Sequence, residues 1–356
     1  MSGTSLDGLD LALCRFTILD GHWQYELLKA ESVAYSDVQE TTIRNLPYTS
    51  AESFWKGQVL FSHFCGETVR RFIAASVEKP GLISSHGHTI FHNPAEGYTC
   101  QIGLGEIMVT YTECPWVMDF RTRDVARGGQ GAPLVPMGEK VLFGADKMFL
   151  NLGGIANISS GESAFDVCPF NQILNLLAAE YQLGLAFDAE GKIAASGVLH
   201  PDLLSKLNNL DFYQISGPKS LGREWVEQTF LPLIHAEKGI TSIPDLLHTV
   251  CVHFAEQIAR ALIRNAGDRK EVLVTGGGTF NSFFTDLLQQ HLKENGISLI
   301  LPDANLIQYK EAVIFACLGL LSALRQENIS PSITGASMPS ISGSFHFPEG
   351  YSTVLI

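Results

Sequence analysis

Residues 150–175 read LNLGGIANISSGESAFDVCPFNQILN, an apolar run that breaks at Gly153-Gly154 and then restarts. The runs 148–152 and 155–159 on either side predict two strands joined by a tight turn. Glycines in such a turn lack a Cβ and adopt positive φ at little cost, so a phosphate can approach the backbone N–H groups. An ordinary hairpin gives the same local pattern. The rest of the chain decides between the two.

Two further glycine turns keep it company. Gly3-Thr4-Ser5-Leu6-Asp7-Gly8 precedes an apolar strand over 9–16. Its Gly, Thr and Ser offer phosphate donors, and Asp7 is an acceptor that could hold a hydrated Mg²⁺ beside a polyphosphate. No GK[ST] follows, so this is not a Walker A loop, and a plain turn reads the same way. The second case is the strand 271–275, which runs into Gly276-Gly277-Gly278. A helix follows, with Asn281 or Ser282 to cap it and Asn295-Gly296 to end it. Glycines at that place let a base or ribose lie against backbone.

Between these turns lie helices predicted over 50–78, 171–185 and 247–263, and a strand over 22–35. GLISSHGHTIFH at 81–92 reads as a short strand entering a polar turn, where His86, His88 and Thr89 can donate to ligand hydroxyls or simply satisfy a loop. The apolar run 116–120 delivers Arg121, Arg123 and Asp124 ahead of GGQGAPLVP. Charges and glycines after a strand are how an α/β sheet presents a site, and the Arg121 fork suits a carboxylate or phosphate. A surface ion pair explains it as well. Glu311 opens a helix expected over 308–324, where a carboxylate also favours the helix dipole.

Composition narrows the function. The 356 residues, 46% of them hydrophobic, suffice for two cores. A formal net charge of -13, with no basic run, argues against nucleic acid as a partner. Neither a signal-like start nor an apolar stretch of about 20 residues is evident, so the expectation is a cytoplasmic protein with no membrane partner. Seven dispersed cysteines without a CxxC pair fit reduced thiols. His86, His88 and His92 would need a carboxylate or thiolate brought in by the fold to hold a metal.

In this setting the sequence resembles the anhydro-N-acetylmuramic acid kinases of the actin, Hsp70 and hexokinase superfamily. The matching segments are SGTSLDGLD at 2–10, SSHGHTIFHNP at 84–94, QIGLGE at 101–106, DFRTRDVARGGQGAPLVP at 119–136, NLGGIANIS at 151–159 and YQLGLAFDAEGKIAASG at 181–197. PKSLGREW at 218–225, TGGGTFN at 275–281, EAVIFA at 311–316 and TGAS at 334–337 complete the set, in family order. GGQGAPLVP together with LGGIANIS is highly specific.

The resemblance implies an α/β fold of two related actin/hexokinase-like (ribonuclease H-like) domains closing over a nucleotide cleft. It implies a first domain over 1–134 with a C-terminal segment from about 326, and a second over 135–325. On it, Gly3 to Asp10 and Gly153-Gly154 are phosphate loops for ATP with Mg²⁺, and Gly276 to Gly278 receive the adenosine. His86, Thr89, Arg121 and Glu311 take positions on the sugar side. The implied reaction opens the 1,6-anhydro ring of an amino sugar with water while O6 is phosphorylated, giving N-acetylmuramate 6-phosphate in murein recycling, in a homodimer.

Two departures stand out. Family chains carry a hydrophobic strand before the SGTS turn, whereas only Met1 precedes Ser2 here, so the natural product is expected to begin upstream. The family motif FDTGPGN, three apolar residues and Asp reads here FDVCPFNQILN, keeping Asp166 but placing Asn175 at the position of the family's base. An amide does not accept a proton at ordinary pH. A kinase with a changed acceptor, or a weakened ATP and sugar binder with a regulatory role, are the alternatives that this substitution raises.

Overall fold

A computed structural model describes residues 1–3, 6–215 and 219–352. Thr4 and Ser5 lie outside the described residues. In chain order the strands are β1 (Gly8–Leu19), β2 (His22–Ala34), β3 (Ile83–Ser84), β4 (His88–Asn93), β5 (Tyr98–Ile102), β6 (Trp116–Met118), β7 (Met148–Leu152), β8 (Ala156–Ser160), β9 (Ser163–Cys168), β10 (Glu271–Thr275), β11 (Ser298–Ile300) and β12 (Ser344–His346). The helices that matter below are α1 (Ala51–Ala74), α2 (Thr122–Ala126), α3 (Val135–Phe143), α4 (Phe170–Tyr181), α5 (Ile243–Asn265), α6 (Ser282–Lys293) and α7 (Ala304–Ala323). The chain forms two compact units, Met1–Gly144 with Tyr309–Ile356, and Ala145–Gln308.

In the first unit, β1 and β2 make a long antiparallel hairpin closed by Asp20-Gly21, both at positive φ (50° and 79°). Two such residues give the turn whose twist matches the flanking strands. β6 pairs with β12 on one side, antiparallel, and with β3 on the other, parallel. β4 and β5 form a separate hairpin, so His88, Thr89 and His92 sit on a strand and not in the turn expected for them. The strand forms because His88 to Asn93 finds a partner in residues 98–102, which the sequence pattern of 81–92 alone does not show.

Helix α3 falls in the domain that the sequence reading began at 135, yet it packs in the first unit. Leu142 joins Leu134, Phe120 and the α7 residues Val313, Ile314 and Leu318 in one core cluster. Lys310 of α7 pairs with Glu139 of α3 at 2.7 Å, with side-chain exposures of 6% and 3%. By length and composition α7 could cross a membrane, although no such stretch is evident from the sequence; 67% of its most apolar window is buried inside the protein. It is a core helix.

The second unit has a five-stranded sheet in the order β11-β10-β7-β8-β9. Its central strand β7 runs antiparallel to β8 and parallel to β10. Helix α5, capped by Ser242, buries Leu246, Leu247, Val250, Phe254 and Ile258 against that sheet's side chains. Asn281 caps α6 by accepting from the Phe284 N–H at 3.0 Å, and Gly296 at φ 64° follows its end. The seven cysteines are free thiols.

The buried ion pair supplies a first test. Removing one partner strands an unpaired charge, which costs about 3–5 kcal/mol, whereas replacing both by apolar residues is often neutral. Glu139→Leu, which leaves the Lys310 ammonium buried without its carboxylate, should therefore lower stability to urea by that amount, and adding Lys310→Met should recover most of it. A double variant as unstable as the single one contradicts this account.

Candidate active site

The second unit brings two of the glycine turns together. Leu152 pairs with Ala156, so Gly153, Gly154 and Ile155 close the β7–β8 hairpin. The carbonyls of Gly153 and Gly154 accept from the N–H groups of Asn171 and Gln172 at 3.1 and 3.2 Å, strapping the turn onto the start of α4. Those bonds satisfy first-turn donors of the helix. Neither glycine has positive φ, contrary to the reason expected from sequence. Space is what they provide: a Cβ on Gly154 would meet nothing within 4 Å, and one on Gly153 only ordinary contacts at 3.4 Å.

The Gly276–Gly278 turn behaves differently. Gly276 has φ 85°, and a Cβ there would come within 2.5 Å of Asn151 Oδ1 and 2.7 Å of the Leu152 carbonyl carbon. On Gly278 it would collide with the Phe170 ring and Leu152. Both glycines are demanded by the end of β7, on which the turn rests. Gly277 is free, its Cβ reaching only Asn171 Nδ2 at 3.9 Å. Gly153, Gly154 and Gly277 are thus open glycines on two adjoining turns. Gln172 Nε2, Thr275 Oγ1 and Thr279 Oγ1 on the flanking elements are buried without a hydrogen-bond partner among the described residues.

Asn175 lies on the exposed face of α4, whose opposite face buries Ile173, Leu174 and Leu177. It is one turn beyond Asn171, which donates to the Leu152 carbonyl at 2.9 Å. That spacing sets Asn175 about 6 Å along the helix from Asn171. Its amide makes no hydrogen bond among the described residues. Asp166 on β9 is committed: Oδ2 accepts from the Leu221 N–H at 2.9 Å, and its own N–H donates to the Lys219 carbonyl. Burial raises its carboxyl above the usual range, and the Leu221 bond opposes that.

The sugar-side residues lie in the first unit. After β6, Asp119 adopts φ 56° and accepts from the Thr122 N–H at 3.1 Å, starting α2. Arg121 then donates from Nε to His86 Nε2 at 2.9 Å and from Nη1 to the Gly131 carbonyl at 2.5 Å. His86 Nδ1 lies 3.1 Å from the Gly87 carbonyl, which can only accept, so the imidazole is neutral with its proton on Nδ1. Burial and then the Arg121 charge push its pKa down to about 3. Both ring nitrogens are engaged, so the expected donation from His86 to a ligand hydroxyl is not available; the residue holds Arg121 instead. Burial lowers Arg121 to about 10, with Glu311 opposing.

Asp124, which the sequence reading left without a role, anchors the loop behind Arg121. It is fully buried, accepting from the Gly131 N–H and from Thr334 Oγ1, each at 2.7 Å. Gln130 N–H donates to the Thr334 carbonyl at 2.7 Å. A carboxylate set among GGQG glycines was the available signal, since a Cβ on Gly129 would strike it.

Glu311 does not open its helix. α7 begins at Ala304, so the dipole explanation expected for this carboxylate falls away. The side chain reaches solvent yet is surrounded closely enough that burial raises its carboxyl, with Lys310, the amino terminus and Arg121 opposing. No ion pair or hydrogen bond to it is present among the described residues. Thr89 is half-buried and accepts from Gln101 Nε2 at 3.2 Å. His88 is structural: Tyr35 donates to Ser2 Oγ at 2.6 Å, and Ser2 lies 2.9 Å from His88 Nδ1.

The first glycine turn also belongs to this unit. Leu6 N–H donates to the Gly3 carbonyl at 3.3 Å, and a Cβ on Gly8 would lie 2.5 Å from the Val33 carbonyl oxygen. Asp7 is exposed, while Asp10 Oδ1 accepts from Ser32 Oγ at 2.5 Å. No cluster of three His, Cys, Asp or Glu suited to a metal occurs among the described residues.

A sequence profile described as anhydro-N-acetylmuramic acid kinase matches residues 1–348. A curated protein of that name from Pseudomonas putida is 35% identical over 373 residues, covering 94% of this chain and 95% of its own. Another, from Bacillus cereus, is 30% identical over 377 residues, covering 98% of each. A solved structure, the activator of the 2-hydroxyisocaproyl-CoA dehydratase from Clostridium difficile with bound ADPNP, aligns at TM-score 0.41 and 12% identity over 86% of this chain and 91% of its own. Matched over residues 1–348 by the profile and over nearly the whole chain by these relatives, the chain belongs to the anhydro-N-acetylmuramic acid kinase family, ATP-dependent sugar kinases, and its fold is mixed α/β.

Proposed function

We propose that the chain transfers the γ-phosphoryl group of ATP to O6 of 1,6-anhydro-N-acetylmuramic acid while water opens the anhydro ring, giving N-acetylmuramate 6-phosphate for cytoplasmic cell-wall recycling. The observation that carries this reading is the pair of adjoining turns with open glycines at 153, 154 and 277. Close-packed interiors have no use for unfilled glycine positions, and a phosphate chain and nucleoside do. Gly153 and Gly154 face the phosphates and Gly276 to Gly278 the adenosine. Gly3, Asp7, Gly8 and Asp10 are assigned to the second phosphate turn through the family resemblance, as are Thr4 and Ser5, which lie outside the described residues.

Mg²⁺ is held largely by phosphates and waters in such sites, so a dedicated carboxylate cage is not required. The exposed Asp7 carboxylate fits a water-mediated contact to it. Bound there, the ion neutralises charge on the phosphates. Arg121 is a half-buried cation with no carboxylate paired to it among the described residues, which suits the carboxylate of the muramic sugar. Thr89 and Glu311 are assigned to the same side through the family resemblance, and His86 positions the guanidinium. A homodimer accompanies this assignment through the family resemblance.

In the reaction, water adds to the anomeric carbon, the bond from that carbon to O6 breaks, and O6 takes the phosphoryl group as ADP leaves. The water proton needs an acceptor. Asn175 can orient the water through its amide but cannot take the proton, and loss of a general base typically costs about 10²–10⁴ in rate. Turnover of the anhydro sugar should therefore be slow, with ATP binding intact.

The nearly isosteric Asn175→Asp should raise kcat on the anhydro sugar by about 10²–10⁴, with KM little changed. Rapid turnover by the parent, with no gain in the variant, shows that another group is the base. Nucleotide binding has its own test: Gly154→Val should fold, since the space around it is open, yet lose the rise in melting temperature that ATP and Mg²⁺ give the parent. Gly278→Ala should instead lower stability by about 1–3 kcal/mol through overpacking. The reverse pattern would mean that the roles of the two turns are misassigned. Because His86 is neutral down to about pH 3, sugar binding should show no imidazole step between pH 5 and 8. A step near 6.5 that vanishes in His86→Gln contradicts the Arg121–His86 arrangement.

A further inference from the structure

The chain that follows β10 makes a single 3₁₀ turn, Gly277–Phe280, and both of its ends are fixed. At the start, Gly276 and Gly278 rest on the end of β7 and on Phe170 with no room for a Cβ. At the finish, Asn281 is buried and caps α6, and a Cβ on Gly191 would lie 2.1 Å from Asn281 Oδ1. Ser282 Oγ also donates to the Glu190 carbonyl at 3.1 Å, so a second loop backs the turn. Between these points Thr279 is buried, whereas Phe280 is 51% exposed. The next aromatic residue, Phe283, packs against the core of the unit and lies 5.2 Å from His248. Phe280 joins no core cluster among the described residues.

Scattered exposed apolar side chains are ordinary on a protein surface. What sets this one apart is its register. Side chains at i and i+3 of a 3₁₀ turn eclipse, so Phe280 shares a face with Gly277. Gly277 is the exposed glycine whose Cβ would reach only Asn171 Nδ2 at 3.9 Å. At about 2.0 Å of rise per residue, the two positions stand about 6 Å apart along the turn. Stacked rings lie with centroids about 4.5–7 Å apart, so the empty glycine position beside the Phe280 ring accepts one flat group.

We propose that Phe280 is the stacking platform for the nucleotide base and makes the site prefer purine to pyrimidine nucleotides. The inference rests on the nucleotide reading of the adjoining glycine turns and deepens it by naming the side chain that selects the base. Phosphates are alike in every nucleoside triphosphate, so the Gly153-Gly154 turn carries no base selectivity. An aromatic ring does. Every base has a π-face, and stacking reads its extent and not its hydrogen-bond pattern, so a two-ring purine gains more than a one-ring pyrimidine. Because the turn is fixed at both ends, its backbone loses little freedom when the base arrives.

Calorimetric binding of ATP, CTP and inorganic tripolyphosphate, each with Mg²⁺, tests this on the full chain and on Phe280→Ala, Phe280→Leu and Phe280→Trp. The parent should bind ATP more tightly than CTP. Phe280→Ala should weaken ATP binding about 10–100-fold, bring ATP and CTP to similar affinity and leave tripolyphosphate unchanged. Phe280→Leu keeps apolar bulk without a π-face and should lose most of the ATP affinity too, whereas Phe280→Trp should keep it. Since Phe280 joins no core cluster, each variant should melt as the parent does without ligand, which separates a lost contact from a lost fold. ATP affinity equal to the parent's in the Ala or Leu variant overturns the proposal, as does a parent that binds CTP as well as ATP. A parent that binds neither ATP nor tripolyphosphate refutes the nucleotide reading itself, and this inference with it.

Discussion

The arrangement of the nucleotide side depends on one close approach, that of Gly276 and Gly278 to the end of β7. With any Cβ at those positions the turn after β10 would be driven off Asn151, Leu152 and Phe170. Because the contact is possible, two turns more than a hundred residues apart in sequence share one edge of a sheet. The start of α4 is fixed to the same edge through the Gly153 and Gly154 carbonyls, which in turn fixes Asn175. Structural glycines build the platform, and the open ones leave it accessible.

On the sugar side the organising element is a buried carboxylate. Asp124 holds Gly131 and Thr334, Gly131 receives Arg121, and His86 receives the same guanidinium from the other side. Arg121 is thereby presented as a preorganised cation with its Nε and part of Nη1 already used. A two-point grip through the Nε edge is closed off. What remains is the Nη2 end, so orientation is set by the protein before any ligand arrives.

Much of this was legible in the sequence because the signals were local. Strand, glycine turn and capped helix over 271–296 follow from composition and spacing, and the structure reproduces them with Asn281 as the cap. The positions that misled were those decided at long range. The segment 88–93 became a strand through pairing with 98–102, α7 began earlier than its apolar pattern suggests, and the roles of His86 and Asp124 depend on partners tens to hundreds of residues away. Glu311 shows the consequence most clearly: once its helix starts at Ala304, a carboxylate that looked like dipole compensation becomes one without a structural duty.

The central claim, a kinase that couples phosphoryl transfer to hydrolytic ring opening despite Asn175, is tested most directly with ¹⁸O-labelled water. The protein would be incubated at high concentration with ATP, Mg²⁺ and the anhydro sugar, and the product read by mass spectrometry. The account predicts slow formation of a product that has gained phosphate and one water, with the label on the anomeric carbon. A product that gained phosphate without water, or none even with Asn175→Asp, would contradict it.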